Sequence, residues 1–162
     1  VNTKNAVRIN TSIRDITKKL LAVQSDFNVG NLNIYLHINS FGGSVFAGLS
    51  IIDTIISNPI PITSIVEGSA ASAATIISVV CSERIIRPNS FMLIHQLSSG
   101  FWGKMEEIKD EFINLKKITK KIKSIYKEHT TIEKEQLKGL LKRDLWLDSN
   151  ECLEYGLVDK VE

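Results

Sequence analysis

Cysteine, proline and histidine are all scarce in this chain of 162 residues, with two, three and three copies. Cys81 and Cys152 lie far apart, form no CxxC pair and stand in apolar or helical contexts. Neither a disulfide framework nor a metal site is therefore expected, and a reducing cytoplasm is the compartment that fits. Charge of one sign is lacking too: a formal net charge of +2 is too mild to imply a nucleic-acid partner. No GxxxxGK[ST] segment occurs, so a phosphate-cradling P-loop is excluded. The longest apolar stretch, Ala70 to Cys81, is too short and too rich in Ala and Ser to span a bilayer. With no basic-plus-apolar leader at its start, the chain reads as soluble, with no membrane partner. What is present is 43% hydrophobic residues, enough for one domain over residues 1–162 that buries roughly two thirds of its unfolded surface around one core.

Hydrophobic spacing orders the elements. Ile13, Ile16, Leu20 and Val23 recur at helical intervals and predict a helix over Thr11 to Ser25, capped by Thr11 or Ser12. That leaves about ten residues ahead of it. A strand from Asn33 to Ile38 runs into Gly42-Gly43, after which Val45, Leu49, Ile52 and Ile56 line a second helix that stops before Pro59. The unit repeats as a strand over Ile62 to Glu67 and an apolar helix over Ala73 to Val80. Strands near Ile85 and from Phe91 to His95 follow, and such alternation predicts a layered, parallel α/β core. From Lys104 to His129 the 3-4 spacing of Met105, Ile108, Phe112, Leu115, Ile118, Ile122 and Ile125 predicts a helix roughly 35 to 40 Å long. Its lysines, Lys116, Lys117, Lys120 and Lys121 among them, read as a solvated face. Thr131 is the expected cap of a helix through Leu141, and Asp148 with Glu151 forms a capping box before a short helix that Gly156 ends. A strand from Leu157 to Val161 closes the chain.

The chemistry gathers at Gly68-Ser69-Ala70-Ala71-Ser72-Ala73-Ala74, where a buried strand turns into a helix through small residues alone. A substrate carbonyl can approach a hydroxyl there, and the free amides of the new helix can hold an oxyanion. This points to a hydrolase. A serine hydroxyl is almost never ionised near neutral pH, so Ser72 needs a base. Of the three histidines, His95 is delivered by the strand Phe91 to Ile94 to the end of the sheet where the Ser72 turn should lie. Asp144 is the acid chosen to fix the imidazole tautomer. Taken singly, Ser72 could serve close packing, His95 could be a bonded core histidine, Asp144 could cap a turn, and Gly42-Gly43 could be an ordinary loop. Together, the Gly43 and Ala73 amides make a pair of oxyanion donors.

Five blocks in order carry a resemblance. They are Asn39 to Ser44, Gly68 to Ser72, Pro88-Asn89-Ser90 with Ile94-His95-Gln96, Arg143-Asp144, and Glu154 to Asp159. Across nearly its whole length the chain resembles the ClpP family of self-compartmentalising serine peptidases. The resemblance implies an α/β fold, a ClpP/crotonase-like spiral of β-β-α units with a protruding handle helix, the handle region falling at about 97–130. It implies Ser72 as nucleophile, His95 as base and Asp144 as its partner, with Gly43 and Ala73 as oxyanion donors and no metal or organic cofactor. Ser44 to Phe46 and Leu97 to Gly100 resemble two edges that clamp an extended peptide, so Ser44, Val45, Phe46, Leu97 and Ser98 are expected at the substrate. Val45, Ala73 and Leu97 border the first specificity pocket. Heptameric rings, in pairs a tetradecamer, would form a homo-oligomer that receives unfolded protein substrates from an AAA+ Clp unfoldase. Phe112, Lys142 and Arg143 are expected at interfaces.

The chain departs from that pattern at several places, among them a slightly shorter turn between Ser72 and His95. Phe41 and Leu97 stand where the family has proline, Lys142 where it has an acid beside the Arg-Asp pair, and the stretch before the first helix is short. A lysine at 142 replaces an attraction between rings with like-charge repulsion. The alternatives are a crotonase-type acyl-CoA enzyme, a catalytically silent ring subunit and an ATPase-independent phage-type maturation protease.

Overall fold

The structure is a computed structural model that describes residues 1–162. Six helices and six strands alternate along the chain. Helix α1 (Thr3–Phe27) leads to strand β1 (Ile34–Ser40), helix α2 (Val45–Ile56), strand β2 (Ile62–Ala71) and helix α3 (Ala73–Val79). Strands β3 (Glu83–Ile86) and β4 (Phe91–Leu93) precede the long helix α4 (Met105–His129) and helix α5 (Lys134–Leu140). Strand β5 (Trp146–Leu147), helix α6 (Ser149–Glu154) and strand β6 (Lys160–Val161) end the chain. No helix is long and apolar enough to cross a membrane.

Strand β2 organises everything else. Its residues Thr63 to Val66 pair in parallel with β1 on one edge and β3 on the other, while Ser69 to Ala71 pair with β4 on the edge that β3 has left. The exchange of partners happens at Gly68, whose φ of 82° is open to glycine and whose N–H donates to the Ser90 hydroxyl at 2.7 Å. One long strand thereby serves two successive sets of neighbours, the spiral arrangement of an α/β layer fold. Ile51, Ile62, Val66, Ile76, Ile86, Met92 and Leu157 are almost wholly buried in one cluster that draws on both ends of the chain.

Several expected boundaries move. Helix α1 starts at Thr3, not Thr11, so residues 3–10 belong to the helix and are not a free stretch ahead of it. Asn2 caps it by accepting from Asn5 N at 2.8 Å, and its first turns are anchored by Ala6, by Ile9 packed on the core and by Asn10, which donates to Ser50; the apolar spacing extends further toward the start than the expected cap at Thr11 allowed. Thr131 does not cap α5. Glu133 does, in a reciprocal box with Gln136, while Thr131 packs against Gly156. The sheet is mixed rather than wholly parallel, because β5, which periodicity did not announce, runs antiparallel to β4. The last strand is only Lys160–Val161; Leu157 and Val158 are instead buried, their amides bonded to Cys152 O. The Asp148 and Glu151 capping box forms as expected. Both cysteines are free and buried, and burial pushes each thiol up to about 12, which keeps them unreactive.

Candidate active site

Strand register brings three distant side chains together. Ala71 pairs with Leu93, and Ser72 N–H donates to Leu93 O at 2.9 Å, so the residues just past β4 lie beside the Ser72 turn. On its other edge β4 meets β5 antiparallel, with Met92 opposite Leu147 and Leu93 opposite Trp146. Continuing that register two residues sets His95 opposite Asp144, and His95 Nδ1 stands 3.5 Å from Asp144 Oδ1. His95 is largely covered, whereas the Asp144 side chain is 79% exposed. Among the histidines, His37 pairs with Glu67 on an exposed face, and only His95 shares a cleft with Ser72. No hydrogen bond links Ser72 and His95 in this conformation. With Nδ1 turned to Asp144, Nε2 is the nitrogen available to the serine.

Ser72 sits at φ 54° and ψ −123°, a conformation that costs a non-glycine residue about 1–3 kcal/mol. Such strain at the end of a strand, immediately before a helix, thrusts the side chain out of the regular ladder. Two amide donors adjoin it. Ala73 opens α3, so its N–H has no acceptor within that helix. Gly42, at φ 89°, presses against the same turn, where a Cβ would come within 2.8 Å of Ser72 Cβ and 2.9 Å of Ala73 N; Gly43, at φ 137°, lies against the Val1 backbone and lines the cleft beside Ser72. Ser44 N–H is taken by Val1 O at 2.9 Å, while Gly43 N–H makes no hydrogen bond within the chain.

Gly43, Val45, Ser72, Ala73, His95, Leu97 and Ser98 line one cleft of about 80 Å³, room for part of one substrate side chain. Its apolar floor adds Ile76 from α3 with Ile122 and Tyr126 from α4; sequence spacing marked Ile122 as a stripe position and singled out neither Ile76 nor Tyr126. A helical 3-4 pattern shows that such residues are covered but not by what. Ser44 and Phe46 do not line the cleft. Ser44 is the cap of α2, its hydroxyl accepting from Ala47 N at 3.3 Å, and Phe46 lies 69% exposed on the outer side of that helix. Residues 44–46 therefore form a cap and a first helical turn, not an extended edge, because the cap starts the helix at Val45. Phe112, Lys142 and Arg143 are exposed. Phe41 is exposed as well and meets Trp146 edge to face, ring centroids 6.1 Å apart, on the Asp144 side of the site.

The fold and the cleft define an α/β protein of the kind that presents a strained serine beside paired backbone amides. Comparison with known proteins agrees: the family model described as Clp protease matches residues 4–162, and the chain belongs to that family. It is 34% identical to the ATP-dependent Clp protease proteolytic subunit of Deinococcus radiodurans over 130 residues, covering 79% of this chain and 64% of that protein. To the ATP-dependent Clp protease proteolytic subunit 2 of Treponema denticola it is 38% identical over 130 residues, covering 79% of this chain and 65% of that protein. The chain thus spans just under two thirds of the length of the curated relatives it matches.

Proposed function

We propose that this chain is a serine endopeptidase that cleaves extended, unfolded polypeptides through an acyl-enzyme. The observation that carries it is the convergence of Ser72, His95 and the Gly43 and Ala73 amides on one cleft, with Asp144 set opposite His95 by the β4–β5 register. Ser72 Oγ forms a bond to the scissile carbonyl carbon as its proton passes to His95 Nε2. The carbonyl oxygen becomes an oxyanion held by the Gly43 and Ala73 N–H groups, dipoles already in place before the charge develops. As the C–N bond breaks, His95 returns the proton to the departing amine. Water, deprotonated by the same imidazole, then releases the acid. Asp144 stabilises the imidazolium formed in both halves. Catalytic hydrogen bonds commonly tighten only when substrate binds, which reconciles the open Ser72–His95 contact with this chemistry.

The apolar floor of Ile76, Ile122 and Tyr126, with Val45 and Leu97 at its border, favours a modest apolar side chain before the scissile bond. Leu97 to Gly100 carries no ladder partner and supplies one edge for strand addition. Met105, Ile108, Phe112 and Ile113 stay exposed along α4, an apolar stripe suited to burial against other copies. A heptameric ring, enclosing the clefts in a chamber fed by an AAA+ unfoldase in the cytoplasm, is the assembly that uses it. Nothing in the site favours acyl-CoA chemistry or a silent subunit, neither of which needs these three side chains together.

Fluorophosphonate labelling tests the proposal. Wild-type protein is expected to gain one adduct per chain at Ser72, to hydrolyse unfolded casein and to run as at least a heptamer in native mass measurement. Ser72→Ala is expected to lose both adduct and hydrolysis. An unlabelled wild type that behaves like Ser72→Ala sinks the chemistry, and a clean monomer at micromolar concentration sinks the chamber.

A further inference from the structure

Behind the cleft, a buried hydroxyl chain joins the long helix to the backbone of Ser72. Thr75, fully buried one turn into α3, places Oγ1 2.6 Å from Ser72 O, the same carbonyl that accepts Thr75 N–H at 3.0 Å. Tyr126, 2% exposed near the end of α4, brings its phenol into a short hydrogen bond with Thr75 Oγ1. A threonine hydroxyl has one proton and a carbonyl has none. Thr75 therefore donates to Ser72 O, and Tyr126 donates to Thr75, so the chain has a single direction. Burial raises the phenol above its ordinary value, so it stays protonated, and a donor, near neutral pH.

We propose that Thr75 and Tyr126 are positioning residues that clamp the Ser72 carbonyl and so hold the nucleophile in its strained backbone conformation. The inference rests on the proposed role of Ser72. Strain of this kind persists only where surrounding contacts over-determine it, and Ser72 has three: its N–H held by Leu93 O, its carbonyl held by Thr75 N–H, and the same carbonyl held by the hydroxyl chain. The first two are made by backbone and exist whatever the side chains are. The third alone is side-chain chemistry, and it alone ties the nucleophile to α4. Ile122, one helical turn before Tyr126, faces the same cleft, so the segment of α4 that lines the pocket also supports the serine. Seating of α4 on α3 is thereby coupled to the geometry of attack.

Tyr126→Phe and Thr75→Val keep size and shape but break the chain; Thr75→Ser keeps the hydroxyl. Each broken variant is expected to lower the fluorophosphonate inactivation rate and the kcat for a short fluorogenic peptide about tenfold, the fold-change of one net hydrogen bond, and Thr75→Val, whose side chain does not line the cleft, to leave KM unchanged. Thr75→Ser is expected to stay near wild type, and the double variant to lose no more than either single one, since both cut one chain. In crystals of Thr75→Val, Ser72 is expected to leave its positive φ. Singles whose losses multiply, or variants that merely melt earlier while labelling at the wild-type rate with φ kept, would overturn the clamp. Should wild type itself resist labelling, the peptidase proposal fails, and the crystallographic arm still decides whether the hydroxyl chain sets the Ser72 backbone.

Discussion

Gly42 offers the sharpest test of the way two loops build the site, because it touches the Ser72 turn without contributing any chemical group. Its φ of 89° is one that side chains rarely adopt, and an added Cβ would meet Ala71 O, lie 2.8 Å from Ser72 Cβ and 2.9 Å from Ala73 N. The backbone conformation costs alanine about 1–2 kcal/mol and the overlap about 1–3 more, so Gly42→Ala should lose about 2–5 kcal/mol from a total of about 5–15. At a urea slope of about 2 kcal/mol/M the midpoint falls by about 1–2.5 M with the slope unchanged, provided protomer concentration is fixed. Every atom met is backbone or a Cβ of the 71–73 turn, so relief has to displace that turn, and fluorophosphonate labelling of the remaining folded protein should drop at least about a hundredfold, the effect of losing an oxyanion donor. Gly139, in α5 with nothing within 4 Å of its would-be Cβ, is the control: Gly139→Ala should hold or raise stability by about 0.5 kcal/mol and leave labelling intact. A Gly42→Ala protein with the wild-type midpoint and labelling rate would refute the close apposition of the two loops.

Asp144→Asn should lower peptidase kcat by about tenfold to a hundredfold, short of the roughly ten-thousandfold loss at a buried triad aspartate, because this carboxylate is 79% exposed and screened. A steady-state assay with a fluorogenic peptide decides it, and an unchanged kcat removes Asp144 from the mechanism. Elsewhere, Arg84 donates to Asp159 while also reaching His129 O at 2.6 Å and Gly156 O at 2.9 Å. Hydrogen bonding from Arg84 holds the Asp159 carboxyl below its ordinary value, so its stabilisation is fully present above about pH 4 and drains away as pH falls through the lower folded-state value. Asp159→Asn should therefore flatten the acid limb of stability against pH, measured by urea midpoints from pH 6 down to 3; an acid limb as steep as wild type would exclude the pair as its source.

Much of this molecule could be read locally. The Gly42-Gly43 turn, the strand-to-helix change at Ser72 and the Asp148–Glu151 box depend on residues within a few positions of one another, so composition and spacing expose them. The 3-4 stripe of α4 places that helix within a residue of its observed start. Where contacts are distant or sparse, spacing failed. Helix α1 begins eight residues earlier than the expected cap at Thr11, held by Asn2 and by Asn10 against Ser50, and β5 is too short to have any period.

The amino-acid order alone determined which groups were available: a serine, Ser72, among small residues where a strand turns into a helix, one histidine closing an apolar strand, one acid beside Arg143, and paired glycines that can reach positive φ. Only the tertiary structure decided that they meet. Parallel pairing of β2 with β4 and antiparallel pairing of β4 with β5 carry His95 to Ser72 and Asp144 to His95, and such registers are settled by burial on both sheet faces, not by neighbours in sequence. The same is true of Tyr126, the neighbour of the stripe residue Ile125, whose hydroxyl finds Thr75 only because α4 packs on α3, fifty-one positions apart along the chain.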